Sequence, residues 1–211
     1  AETERVFGKV HVVCNNAGIN LFTDIGTATF SDWDWIMGVN FGGVVNGLQA
    51  FVPRIRKHGE GGHIVNTASM ASFIAGPLAG IYTTSKFAVR GLSESLLWSL
   101  APHGIGVSVL CPGLVKSTIF KSEGIRPTHL SGSKMDPAFV ARLEQMHEMG
   151  MEPEEVGRKV LRGMLAGDFY IFPHPEFKEE LRAIFDATLA ALPDEKAPPE
   201  RLAGEEGRGA R

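Results

Sequence analysis

VHVVCNNAG, residues 10–18, is the stretch from which the architecture of this chain can be read. A run of β-branched and apolar residues stops abruptly at Asn15-Asn16-Ala17-Gly18, which is the grammar of a strand entering a turn. The same grammar recurs at His63–Ser69, at Ile105–Cys111 closed by Pro112-Gly113, and at Phe169–Phe172. Helical periodicities lie between these runs. One starts at a Ser31-Asp32 cap and runs through Trp33, Trp35, Ile36, Val39, Val44, Leu48 and Phe51 to Lys57. Another runs from Tyr82 to about Leu100, with Phe87, Leu92, Leu96, Leu97 and Leu100 on its apolar face. Pro153–Ala166 opens on proline and two glutamates and ends before Gly167, and residues 176–191 form a last helix. Strands that are continuously apolar and alternate with helices predict a parallel sheet covered on both faces, an α/β fold.

The bulk numbers agree. At 211 residues the chain suits one domain, and 44% hydrophobic with 21% charged residues is ordinary globular composition. A net charge of -3 gives nucleic acid or an anionic membrane no purchase. No run of about 18 apolar residues exists to span a bilayer. The opening AETERVFGKV is charged and lacks a signal-peptide core, which fits a cytoplasmic protein. Cys14 and Cys111 sit in strand-like runs and read as buried, reduced thiols, with no zinc-ligand spacing and no metal expected. His11, His63 and His174 read as structural, and no G-x-S-x-G string marks a serine hydrolase. The Pro/Glu/Arg/Gly-rich tail, residues 193–211, reads as disordered.

In a parallel α/β sheet the active site lies at the carboxyl ends of the strands. Asn15–Gly18, Ser69 and Pro112–Ser117 occupy those ends and should converge. Tyr82 and Lys86 stand at i and i+4 and share a helix face. A free tyrosine titrates near 10, and an ammonium within ~4–6 Å would favour its phenolate. With Ser69 on the same substrate oxygen, the pair would form a proton relay for a carbonyl–alcohol couple. The matching hydride can come only from a cofactor.

Asn15-Asn16-Ala17-Gly18, Asn40, Ser69, Tyr82-x-x-x-Lys86 and Pro112-Gly113-Leu114-Val115 occur in the order and spacing of the short-chain dehydrogenase/reductase family, which the chain resembles from residue 1 to about 190. The resemblance implies a Rossmann-like doubly wound sheet, with residues 1–192 as the C-terminal catalytic part of one dehydrogenase domain. It implies Tyr82 as general acid/base and Ser69 as the group polarising the substrate oxygen. Lys86 would lower the tyrosine pKa and hold the nicotinamide ribose, and Asn40 would hold a water joining the lysine to solvent. Asn16, Ala17 and Gly18 would line the adenosine side of NAD or NADP. Pro112, Gly113, Val115 and Ser117 would cradle the nicotinamide carboxamide. The segments WDWIMGVNFGGVVNG, GGHIVNTASMASF and HEMGMEPEEVGRKVLRGMLAGDFYIFPHPE are similar to a bacterial subgroup that includes the Cα-dehydrogenases of lignin-derived aryl ethers.

The family's glycine-rich TGxxxGxG turn and the residue that reads the ribose 2′ position have no counterpart. At about 30 residues per βαβ unit, roughly 70 residues would precede Ala1, so the sequence reads as a fragment whose first strand is an exposed sheet edge. The expected activity is NAD(P)-dependent interconversion of a secondary alcohol and a ketone; the alternative is a non-catalytic scaffold acting as an interaction module. The stretch from Ser117 to Gly150 is long enough for a lid. Its Ile119, Phe120, Met135, Phe139, Met146 and Met149, with Leu21, Phe22, Met70, Phe73 and Ile74 opposite, suggest a bulky apolar or aromatic substrate. Arg126 and His129 keep a substrate carboxylate open. Val44, Leu48, Phe51, Leu92, Leu96 and Trp98 exceed what one buried face requires, as in a homodimer or homotetramer.

Overall fold

The computed structural model describes residues 2–208. The chain divides into two compact units, Ala1–His174 and Pro175–Arg211. The first runs α1 (Glu2–Phe7), β1 (Val12–Asn15), α2 (Phe30–Asn40), α3 (Gly42–His58), β2 (Gly62–Thr67), α4 (Gly80–Leu100), β3 (Ile105–Leu110), α5 (Pro137–Glu148), α6 (Pro153–Ala166) and β4 (Tyr170–Ile171). The second holds α7 (Lys178–Ala190) and α8 (Pro199–Arg208). The segment from Pro193, disordered by composition, therefore carries a helix that opens on a proline and has Glu200 in its first turn.

The four strands form one sheet in the order β1-β2-β3-β4, and every pairing is parallel. This is the expected Rossmann-like α/β arrangement. On one face, Asn15 and Asn66 lie side by side and join the sheet to the helices. Asn15 Nδ2 donates to Asn66 Oδ1 at 2.8 Å, and Asn66 Nδ2 donates to Ser93 Oγ of α4 at 3.0 Å. A Cβ on Gly47 of α3 would stand 2.0 Å from Asn15 Oδ1, so glycine is what lets that helix approach. On the other face, Val65, Leu110 and Ile171 pack against Val156 of α6.

That second layer reaches β2, β3 and β4 and stops short of β1. Cys14 is paired with Val65 in register, yet it is exposed, and Val12 beside it is 47% exposed. The expectation of two buried thiols therefore holds for Cys111 alone. The strand-like environment of Cys14 is an uncovered sheet edge, which sequence patterning does not distinguish from a covered strand.

Three helical expectations also change. The helix from Ser31 to Lys57 is two helices, broken at Phe41, whose N–H still closes on Met37 O before the weak helix formers Gly42 and Gly43. Its cap is Thr29, which forms a reciprocal capping box with Asp32. The irregular stretch after Ser117 contains α5, capped by Asp136 accepting from the N–H groups of Ala138 and Phe139. Val44 and Leu48 are buried within this fold, which takes two residues from the surplus apolar surface expected of an oligomer.

Candidate active site

The carboxyl ends of β1, β2 and β3 meet the first turns of α4. Lys86 is 3% exposed, and its ammonium donates to Thr67 O at the end of β2 at 2.9 Å. A Cβ on Gly18 would lie 3.4 Å from Lys86 Nζ and 3.5 Å from Asn40 Oδ1. The turn after β1, the end of α2 and the lysine thus share one point. Thr67 Oγ1 donates to Asn16 Oδ1 at 3.1 Å, which ties the same turn to β2.

Asn40 is 1% exposed and its amide is committed. Its Oδ1 accepts from Ile19 N–H at 2.8 Å, and its Nδ2 donates to Ile19 O at 3.0 Å and to Ser85 Oγ at 3.0 Å. The break at Phe41 makes this possible by ending α2 on the asparagine. The side chain is a brace for the turn after β1. Ser85, which sequence reasoning did not single out, completes the brace: its hydroxyl donates to Tyr82 O at 2.7 Å and is fully buried. The only sequence signal was a small polar residue inside Tyr82-x-x-x-Lys86.

Ser69 caps a short 3-10 turn, with its hydroxyl accepting from Ala71 N–H at 3.1 Å. Its Oγ also donates to Pro112 O at 3.4 Å. Burial pushes the Tyr82 phenol above the ordinary tyrosine value, and the neighbouring Ser69 hydroxyl opposes that without cancelling it. The expected lowering by Lys86 is therefore not what this site shows. The ammonium lies 5.6 Å from the tyrosine ring centroid and donates to Thr67 O. Burial also lowers Lys86 itself, to about 8.

The turn after β3 closes the cleft. Pro112 O accepts from Met70 N–H at 2.8 Å, which sets this turn beside Ser69. Gly113 N–H donates to His174 Nδ1 at 3.0 Å. Val115 bridges Met151 and packs its side chain onto the cluster of Val65, Leu110, Val156 and Ile171. Ser117 and Ala17 are exposed, and the structure does not join them to the other predicted residues.

Residues 117–149 form an excursion with a closed base. Lys116 N–H donates to Met151 O at 3.0 Å and Met151 N–H to Leu114 O at 2.9 Å. A Cβ on Gly150 would meet the Val115 carbonyl carbon at 2.7 Å, so the two ends touch only because residue 150 is glycine. Arg126, read as a possible carboxylate ligand, is instead buried against Asp32 with Nη1 to Oδ1 at 2.7 Å. Leu21, Met70, Phe120 and Met135 are core residues, while Phe22 and Phe139 meet edge to face with centroids 5.3 Å apart.

At the opposite ends of the strands, His11, His58 and Glu60 place potential metal donors within 4.8 Å of one another. Those donors are already engaged. His11 and Glu60 are 2.9 Å apart, Lys9 also holds Glu60, and His58 Nε2 bonds Val10 O at 2.9 Å.

Residues 1–126 match the family model described as short chain dehydrogenase. A Cα-dehydrogenase of Sphingobium sp. is 38% identical over 94% of this chain and 66% of its own length. The chain spans 51% of a diacetyl reductase, (S)-acetoin forming, of Staphylococcus aureus, to which it is 36% identical over 62% of its own length. The solved structure of a short-chain dehydrogenase from Novosphingobium aromaticivorans superposes with a TM-score of 0.79 at 47% identity, covering 98% of this chain and 68% of that one. One from Burkholderia phymatum, solved with NAD, gives 0.83 at 32% identity, covering 93% and 73%. No described helix is long and apolar enough to cross a membrane. The chain belongs to the short-chain dehydrogenase family.

Proposed function

We propose that the protein interconverts a secondary alcohol and a ketone, with NAD or NADP as hydride carrier. The carrying observation is the grouping of buried Lys86 with the half-buried Tyr82 and Ser69 around the carboxyl end of β2. The residues present fit a dinucleotide. Among the described residues Lys86 forms one hydrogen bond, so its ammonium has hydrogens left for ribose hydroxyls, and Gly18 leaves room beside it. Asn16, Ala17 and Gly18 would take the adenosine side, and Pro112, Gly113, Val115 and Ser117 the carboxamide. When bound, the nicotinamide supplies or accepts the hydride at the substrate carbon.

The side chains manage the proton. Tyr82 Oη gives it to the ketone oxygen or takes it from the alcohol, and Ser69 Oγ steadies that oxygen by a hydrogen bond. Lys86, 5.6 Å from the tyrosine ring centroid and held there by its bond to Thr67 O, would take the ribose hydroxyls. The phenol is neutral at pH 7, which suits it to act as an acid in the reducing direction.

A bulky or aromatic substrate is supported by the half-buried Phe22, after β1, and Phe139, on α5, and by the likeness to a Cα-dehydrogenase. With Arg126 occupied by Asp32, a carboxylated substrate loses its strongest partner. In the full-length protein, Tyr82→Phe should lower kcat by at least ~100-fold with little change in dinucleotide affinity. Retention of more than a few per cent of the parent turnover would remove Tyr82 from the proposed role.

A further inference from the structure

Two peptide units of the turn after β3, one on each side of the Gly113–Leu114 peptide, are held by one side chain. Gly113 N–H donates to His174 Nδ1 at 3.0 Å, and His174 Nε2 lies 2.9 Å from Leu114 O. With Nδ1 accepting, Nε2 carries the hydrogen and donates to Leu114 O. The other tautomer, or the cation, would set a ring N–H against the Gly113 N–H. The ring is 5% exposed, and the carbonyl of the preceding Pro173 accepts from Lys159 Nζ of α6 at 2.7 Å. A glycine turn is loose by itself; beside the bonds that Met70 and Met151 N–H give to Pro112 O and Leu114 O, two bonds to one buried ring restrict that freedom before a ligand arrives.

We propose that His174 is a positioning residue that fixes the Gly113–Leu114 backbone for the dinucleotide. This rests on the reading of Pro112–Ser117 as the nicotinamide cradle. The side chain touches neither reacting atom; it acts by holding the peptide units that would.

The test uses the full-length protein, NAD and NADP as probes, and two variants. His174→Phe keeps a ring and removes both bonds; His174→Gln offers an amide oxygen and an N–H to the same partners. Hydrogen exchange at the Gly113 amide should accelerate in His174→Phe and return toward the parent rate in His174→Gln. Dinucleotide Kd should rise about tenfold in the phenylalanine variant, the worth of one lost buried hydrogen bond. It should rise less in the glutamine variant. Should His174→Phe fail to fold, the 15N spectrum of the parent decides: one acceptor-type ring nitrogen at Nδ1 and one protonated nitrogen at Nε2 support the clamp. A proton on Nδ1, or an unmoved Gly113 amide or unmoved Kd in a folded His174→Phe, overturns it. A parent that binds neither dinucleotide overturns the cradle reading first and the proposal with it. Retained binding with an unchanged amide overturns the proposal alone.

Discussion

Lys86 is 3% exposed and donates one hydrogen bond, to Thr67 O. Burial lowers its pKa from 10.5 to about 8, a difference worth about 3 kcal/mol against the charged form. Below pH 8 the folded protein bears that cost in full. Between pH 8 and 10.5 the unfolded chain holds more protons than the folded one, so stability rises with pH across that window. Replacing Lys86 by Met should therefore leave stability at pH 7 equal or higher by up to ~3 kcal/mol, less what the bond to Thr67 contributed. The gap should close as pH approaches 10.5. Urea unfolding of both proteins from pH 7 to 10 checks this, and a variant clearly less stable at pH 7 would show that the bond outweighs the burial cost. Turnover should fall regardless. Tyr82, Lys86 and Ser69 were legible in the sequence because an i, i+4 pair and strand-end residues declare their positions locally. Ser85 and the commitment of Asn40 were not, since the bond between them spans 45 residues and depends on where α2 ends.

The lid shows the same limit at the level of elements. Its length, its apolar content and its span from Ser117 to Gly150 were readable. What anchors it was not. Asp32 is fully buried on α2, 101 residues from Ser133, which gives it an N–H at 3.0 Å and a hydroxyl at 2.7 Å. Burial alone would raise the Asp32 pKa. Bonds from Thr29, Ser133 and Arg126 outweigh it and hold the carboxyl at about 2. Its stabilisation is present above pH 3.8 and is lost as pH falls toward 2. Arg126 also stacks over Trp35 at 4.7 Å, and a Cβ on Gly132 would strike Asp32 Oδ1 at 2.5 Å. Breaking one partner leaves a buried charge, so Asp32→Asn should destabilise by about 3–5 kcal/mol. It should also raise the substrate KM more than it lowers kcat, because the lid loosens while the Tyr82 site stays intact. Arg126→Met added to it should recover part of the loss, read from urea midpoints and from KM. If the double variant is no more stable than the single, the pair is not the anchor.

Across the whole sheet, the two faces are unequally covered. Parallel sheets are normally buried on both sides. Here α3 and α4 cover the face bearing Asn15 and Asn66, whereas α6 covers the other from β2 to β4. Cys14 and Val12 are left open on β1, and Cys111 is fully buried after β3, with burial raising its thiol to about 11. Alternation and apolar content gave the two cysteines the same reading, because a strand's sequence records its own hydrophobicity and not which neighbour covers it. The 211-residue chain should thus contain one thiol open to reagent and one closed. Burial of the Cys14 thiolate raises its pKa, so it should react more slowly than a free cysteine at pH 8 but without unfolding. Cys111 should react only once denaturant opens the sheet. Mass spectrometry after a timed alkylation distinguishes the sites. Equal protection of both would mean that the Cys14 face of β1 is covered, by a second copy or by a rearranged helix, and repeating the labelling across a concentration series would tell those apart.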